Sequence, residues 1–170
     1  MKIHFALLLI SFLTVFSCKE KAKNSDVNPI KETTTEVVNQ EMLESLPMVP
    51  IEIMQKLWNE CEFIDYIFFD LPFSMSQTEQ PSIRANLNYI DRSAIGPRPK
   101  SCKPIAREFF QINGEIVYEA DVYYSEGCKY YVFFDGKTPV YANKMSAAGE
   151  QFYNQMITQA LQMQKGAQGQ

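Results

Sequence analysis

The most restrictive feature of the sequence is a pair of β-rich runs on either side of Asn113-Gly114, in "IAREFFQINGEIVYEADVYY". Asn-Gly is a preferred two-residue hairpin turn because both residues tolerate positive φ angles. Side chains after the turn should alternate between the two faces of the strand. We expect the core-facing set to be Ile116, Tyr118, Ala120, Val122 and Tyr124. The stretch therefore predicts an antiparallel hairpin with a more polar outer face.

A second hairpin is predicted around Asp135-Gly136, in "KYYVFFDGKTPVYANKM". Asp-Gly favours the same kind of tight turn. The short turn "SEGC" joins the two hairpins. Together they predict a four-stranded antiparallel meander.

Helices are predicted before and after these strands. Apolar residues spaced by three and four predict a helix at about 50–66, although "FIDYIFFD" at its end is rich enough in β-formers to be extended instead. A second helix is predicted from Pro81, and a third after Ser146. "LPFSMSQTEQ" is expected to be a loop and "SAIGPRPKSCKP" an irregular connector. The predicted fold is α+β: two N-terminal helices, the four-stranded antiparallel meander and a C-terminal helix.

The chain begins with a short apolar run, "MKIHFALLLISFLTVFS", that contains one basic residue near its start. It is too short to span a bilayer and is typical of a secretory signal. Val15-Phe16-Ser17-Cys18 at its end resembles the lipobox of bacterial lipoproteins. The resemblance implies cleavage before Cys18 and acylation of that cysteine, palmitate included. Lys19 rather than Asp follows, which in that family favours the outer membrane; the periplasmic or cell-surface face stays open.

This reading divides the chain into four parts. Residues 1–17 form the signal peptide, and 18–46 form the lipidated cysteine with a polar tether, expected to be disordered because it has few large apolar residues. Residues 47–164 form one α+β domain, and 165–170 form a disordered tail.

Composition excludes several functional classes. The net charge is −4, which argues against nucleic acid as a partner. The single histidine, His4, lies in the signal peptide, so the mature chain lacks histidine-dependent nucleophiles, zinc sites and haem ligands. We predict no metal, no cofactor and no assigned catalytic residue. Paired carboxylates leave an alternative open, an envelope hydrolase that uses Glu119 with Asp121 or Glu60 with Asp65.

Cys61, Cys102 and Cys128 remain after Cys18. A two-residue turn at Asn113-Gly114 places residue 102 near 125, beside the turn that carries Cys128. We therefore predict a Cys102–Cys128 disulfide. Cys61 lies on the apolar stripe of the first helix, where a buried thiol is ordinary.

Aromatic doublets along the strands give the best indication of function. Each strand should place one ring on each face, so the sheet is either covered on both faces and stabilised by cross-strand aromatic pairs, or exposes a tyrosine-rich platform. We predict a non-catalytic binding or structural module for a protein, peptide or glycan partner. Its candidate binding residues are Tyr123, Tyr130 and Tyr131 on the sheet with Arg98, Lys100 and Lys103 on the connector.

Overall fold

The computed structural model describes residues 41–168, which form three helices and nine strands. The helices are α1 (Ile51–Glu60), α2 (Gln80–Leu87) and α3 (Ala147–Gln168). The strands are β1 (Met42–Leu43), β2 (Phe63–Phe68), β3 (Ser74–Gln77), β4 (Ile90–Ala94), β5 (Arg98–Pro99), β6 (Pro104–Ile112), β7 (Glu115–Ser125), β8 (Cys128–Asp135) and β9 (Thr138–Met145). The predicted signal peptide, Cys18 and most of the predicted tether lie outside the described residues.

Seven strands form one antiparallel sheet in the order β3-β2-β6-β7-β8-β9-β4, and β1 pairs with β5 in a separate two-stranded sheet. The predicted architecture of two helices followed by a four-stranded meander is therefore wrong. The strands β6 to β9 are consecutive neighbours, but β2, β3 and β4 extend the sheet on both sides. Two of these additional strands lie between α1 and α2 in the chain.

The additional strands arise where helices and loops were predicted. The first helix stops at Glu60 because Cys61 is extended, with φ −66° and ψ 126°. After Glu62, the six residues Phe63–Phe68 form β2, and its alternate side chains Ile64, Tyr66 and Phe68 are buried. Of the two conformations left open for "FIDYIFFD", helical and extended, the structure shows the extended one. β3 and β4 are short and partly polar, and each lies at an edge of the sheet.

Two β-bulges interrupt the alternation of inward and outward side chains that was predicted for the first hairpin. Gln111 pairs with Ile116, but Phe110 pairs with Tyr118, so Val117 is an extra residue in β7. Ile116 therefore leaves the core-facing set and is 54% exposed. A second bulge at Ile105, between the pairs at Pro104 and Ala106, adds one residue to β6. The two bulges cancel, so the register at the open end of the hairpin is the one expected from the turn.

The main core lies between one face of the large sheet and the three helices. Leu57 of α1, Ile83 of α2 and Tyr153 of α3 are fully buried in it. Ring pairs such as Phe110 with Phe133, whose centroids are 5.9 Å apart, fill the sheet side. Removal of this apolar area from water is the principal stabilising contribution to the fold.

A smaller apolar cluster lies on the opposite face of the sheet, because alternation along β8 points Tyr130 and Val132 away from the helices. Leu46, Ile95 and Cys102 pack over this cluster. The sheet is thus covered on both faces at this end.

The described ends of the domain differ from the predicted boundaries. Residues 42–46, predicted as tether, already pair and pack, since β1 pairs with β5 and Leu46 contacts the smaller cluster. At the other end, α3 continues to Gln168, past the predicted end at 164.

Candidate functional site

A groove of about 600 Å³ at one end of the sheet has a buried charged residue, Arg98, in its lining. We call it the Arg98 groove. It forms where the connector after β4 passes over the turn between β7 and β8 and the adjacent end of β9. The lining residues are Ile95, Gly96, Pro97, Arg98, Pro99, Tyr124, Ser125, Glu126, Gly127, Lys129, Tyr130 and Lys144.

A disulfide fixes the two walls of the groove to each other. Cys102 of the connector is bonded to Cys128 at the start of β8, with 5.9 Å between their Cα atoms. The disulfide predicted from the hairpin register is thus confirmed. Cys61 is a free, fully buried cysteine, and burial raises the pKa of its thiol. A raised pKa disfavours the thiolate, so Cys61 is not suited to nucleophilic chemistry.

Pairing with β1 further restrains the connector, which was predicted to be irregular. Leu43 pairs with Arg98 and Met42 with Pro99. The Lys100 amide donates a 2.8 Å hydrogen bond to the carbonyl of Glu41. A guanidinium nitrogen of Arg98, Nη2, lies 3.4 Å from the carbonyl oxygen of Glu44. The groove wall therefore has defined backbone and side-chain positions.

The structure brings together two of the six candidate binding residues in this groove, Arg98 and Tyr130. Tyr123 stacks on Tyr130 with ring centroids 4.5 Å apart and supports it from the side. Tyr131 points to the opposite face, where it is fully buried against Tyr153. The predicted tyrosine set is therefore divided between a cross-strand pair and the core.

The two lysines of the predicted set lie outside the groove lining. Lys100 is ion-paired with Glu41, and Lys103 is exposed. Lys129 and Lys144, which sequence reasoning did not select, are in the lining instead. Lys144 lies in β9, and the chain order alone gave no indication that β9 reaches the connector.

Burial and charge both act on the tyrosines of the groove. Burial raises the pKa of Tyr130 to about 12, while the positive charge of Arg98 acts to lower it. Burial also raises the pKa of Tyr123, again against the effect of Arg98. Both hydroxyls are therefore neutral at physiological pH and can donate or accept hydrogen bonds.

A second candidate centre is the buried carboxyl of Glu108, in the middle of the sheet. It is fully buried, and burial raises its pKa to about 7. Its Oε1 accepts hydrogen bonds from the hydroxyl of Tyr153 and, at 3.2 Å, from Nδ2 of Asn86. The same amide donates to the hydroxyl of Tyr66 at 2.5 Å. Glu108 was missed, although its alternation with Ala106 and Phe110 placed it on the apolar face.

Glu108 is fully buried and lines neither of the two openings of about 600 Å³ in the described part of the chain. A general acid must reach the proton that it transfers, directly or through one water. The arrangement around Glu108 therefore connects β6 to α2 and α3 but offers no substrate position.

The carboxylate pairs named for a hydrolase are not arranged for acid–base work. Arg107 Nε contacts Asp121 at 2.7 Å, and its Nη1 contacts Glu119 at 3.2 Å. This guanidinium lies between the two acids and stacks 4.7 Å above the ring of Phe134. Glu60 and Asp65 lie on different elements, and Asp65 accepts a 2.7 Å hydrogen bond from Ser76.

Another opening, of about 610 Å³, lies between α1 and β4 and includes the half-exposed Trp58. Arg84 stacks on this indole at 5.4 Å. Its charged lining residue, Arg92, is exposed, so this opening lacks the buried charge found in the Arg98 groove.

Across residues 41–168, no cluster of histidine, cysteine and acidic residues has the arrangement of a metal site. Over the same span, no helix has both the length and the hydropathy needed to cross a bilayer. The chain matches no protein-family model, and the searches of curated proteins and of solved structures also find no match.

Proposed function

We propose that this protein is a lipid-anchored envelope lipoprotein whose domain acts as a non-catalytic binding module through the Arg98 groove. One observation carries the binding role: a disulfide-stapled groove of about 600 Å³ with the buried cation Arg98 in its wall. Ligand sites are commonly clefts of roughly 300–1,000 Å³ with a few placed polar groups among apolar ones.

The first described strand of the domain borders the groove. β1 pairs directly with Arg98 and Pro99 of the groove wall. The lipobox-like Val15-Phe16-Ser17-Cys18 supports the anchor itself, in the outer membrane, with the face left open.

The binding surface that we propose is a groove at the end of the sheet, whereas the sequence predicted an open aromatic sheet face. The reason is burial: Tyr130 is 5% exposed and Tyr131 is fully buried. A binding platform of stacked aromatic rings requires that the faces of the rings are exposed. Binding in the groove requires only that one edge of the Tyr130 ring is exposed beside the Arg98 cation.

Site-specific photo-crosslinking in intact membranes tests the binding role. The crosslinking residue p-benzoylphenylalanine is placed at Glu126, an exposed position on the groove rim, and separately at Lys137, an exposed position in the turn between β8 and β9. We expect a defined adduct from position 126 and none from position 137. Equal adducts from both positions, or none from 126, would contradict a binding role for the groove.

A further inference from the structure

Arg98 is a buried cation without an acidic partner in the described part of the chain. The residue is 7% exposed, and the one hydrogen bond of its side chain to a described residue runs from Nη2 to the carbonyl of Glu44. Its Nε is buried and makes no hydrogen bond within residues 41–168. None of the ion pairs formed by residues 41–168 includes Arg98. Buried charges are otherwise almost always paired, because an isolated charge loses its hydration.

The remaining charges around the groove leave a small positive excess. Lys129 is neutralised by Glu150 at 2.5 Å. Lys144 is exposed and forms no ion pair with any described residue, and Glu126 places one negative charge on the rim. The balance favours a ligand with one negative charge.

The rest of the lining is largely apolar. Ile95, Pro97 and Pro99 form one wall, and the Tyr130 ring lies against it. A guanidinium is planar and presents donors in a fork that matches a carboxylate. Because the disulfide and the β1–β5 pair already hold Arg98 in place, a ligand would lose little free energy in ordering the site.

We infer that the Arg98 groove binds a ligand with a single carboxylate attached to an apolar body. This inference rests on the proposed binding function and names its ligand chemistry. The carboxylate pairs with the Arg98 guanidinium, and the apolar body lies over the prolines and the exposed edge of the Tyr130 ring.

The test is an NMR titration of the purified, isotope-labelled full chain in neutral detergent with three probes. N-acetylphenylalanine carries one carboxylate, N-acetylphenylalaninamide is its neutral analogue, and phenyl phosphate is a dianion. We expect the carboxylate to shift the amide signals of Gly96 and Gly127 and to bind about tenfold or more tightly than the amide, as befits hydrogen bonds to a charged group.

Three variants identify the origin of the preference. Arg98→Met should abolish the preference for the carboxylate over the amide. Arg98→Lys keeps the charge without the fork and should retain a reduced preference. Lys103→Met removes an exposed cation from the same connector, outside the groove lining, and should behave as the original chain. A preserved amide spectrum shows that each variant is folded.

The failures are distinguishable. Equal affinity for the carboxylate and its amide, with groove shifts present, would overturn the carboxylate inference and leave the binding groove standing. Tighter binding of phenyl phosphate would overturn it in favour of a phosphate ligand. Absence of groove shifts with all three probes overturns the inference, and the crosslinking from position 126 then decides the binding role separately.

Discussion

The hydroxyl of Tyr153 on α3 donates a hydrogen bond to Glu108 in the centre of the sheet. Both residues are fully buried. Four tyrosines face this carboxyl from the surrounding elements: Tyr66 on β2, Tyr89 after α2, Tyr131 on β8 and Tyr153 on α3. Burial raises the pKa of each of them, so they stay neutral across the range in which Glu108 titrates.

Stability should therefore fall as the pH rises from about 4.5 to about 7, the pKa of Glu108 when buried. In this window the folded state binds more protons than the unfolded state, and ionisation favours unfolding. Glu108→Gln should remove this loss, roughly 3 kcal/mol at pH 8 and near zero at pH 4. Urea unfolding across pH measures the difference.

Glu115→Gln is the matched control for that comparison, because it removes an exposed carboxylate from the adjacent strand. Parallel stability curves for the original chain and Glu108→Gln would show that the carboxyl is not buried as described.

Replacement of both Cys102 and Cys128 by serine should lower the free energy of unfolding by roughly 3 kcal/mol. The bond joins residues 26 apart, and its loss releases the connector in the unfolded chain. Thermal unfolding with and without reductant measures the effect. Reductant should destabilise the original chain to the same extent and leave the double variant unchanged; a double variant as stable as the original would contradict this expectation.

Gly149→Ala should destabilise the fold by roughly 1–2 kcal/mol, although alanine is the better helix former. A Cβ at this position would lie 2.8 Å from the Tyr89 Cβ and 2.9 Å from the Met145 Cγ. Gly96→Ala is the control, because nothing lies within 4 Å of its added Cβ. Denaturant midpoints measure both variants, and a stabilised Gly149→Ala would show that α3 does not approach Tyr89 this closely.

Cys18→Ser should abolish lipidation and leave the protein unprocessed or released from the membrane. The expectation follows from the lipobox-like Val15-Phe16-Ser17-Cys18, and metabolic labelling with a palmitate analogue measures it. The original chain should take up label and sediment with membranes. Labelling that persists in Cys18→Ser, or is absent from the original chain, would contradict the anchor.

Turn chemistry made the centre of the fold predictable. Asn113 and Gly114 both have positive φ, at 53° and 76°, as the hairpin turn requires. Because the two bulges of that hairpin cancel, Pro104 pairs with Tyr123, as it would in a hairpin without bulges. The register counted from the turn therefore predicted the Cys102–Cys128 disulfide correctly. Ile116 lies between the turn and the bulge at Val117, and the prediction that it faces the core was wrong.

The edges of the sheet were not predictable by the same reasoning. β3 and β4 are four and five residues long, and each is paired on one side only. Pairing with a neighbouring strand forms them, and their own short sequences carry no clear alternation of apolar and polar residues. Part of the groove lining was predictable from the sequence. Arg98 and Tyr130 were selected as a cation and an aromatic residue. Lys144 was not, because it lines the groove only through the position of β9 in the sheet.

The bulges in β6 and β7 also indicate where this sequence can lose residues over evolutionary time. Val117 and Ile105 have no cross-strand partner, so deletion of either one would leave every other pair of the hairpin as it is. Deletion of a paired residue such as Ala120 would instead shift the residues on one side of it by one position and exchange their inner and outer faces. Descendants of this chain should therefore tolerate single deletions at the two bulges and lose residues elsewhere in the hairpin much less often.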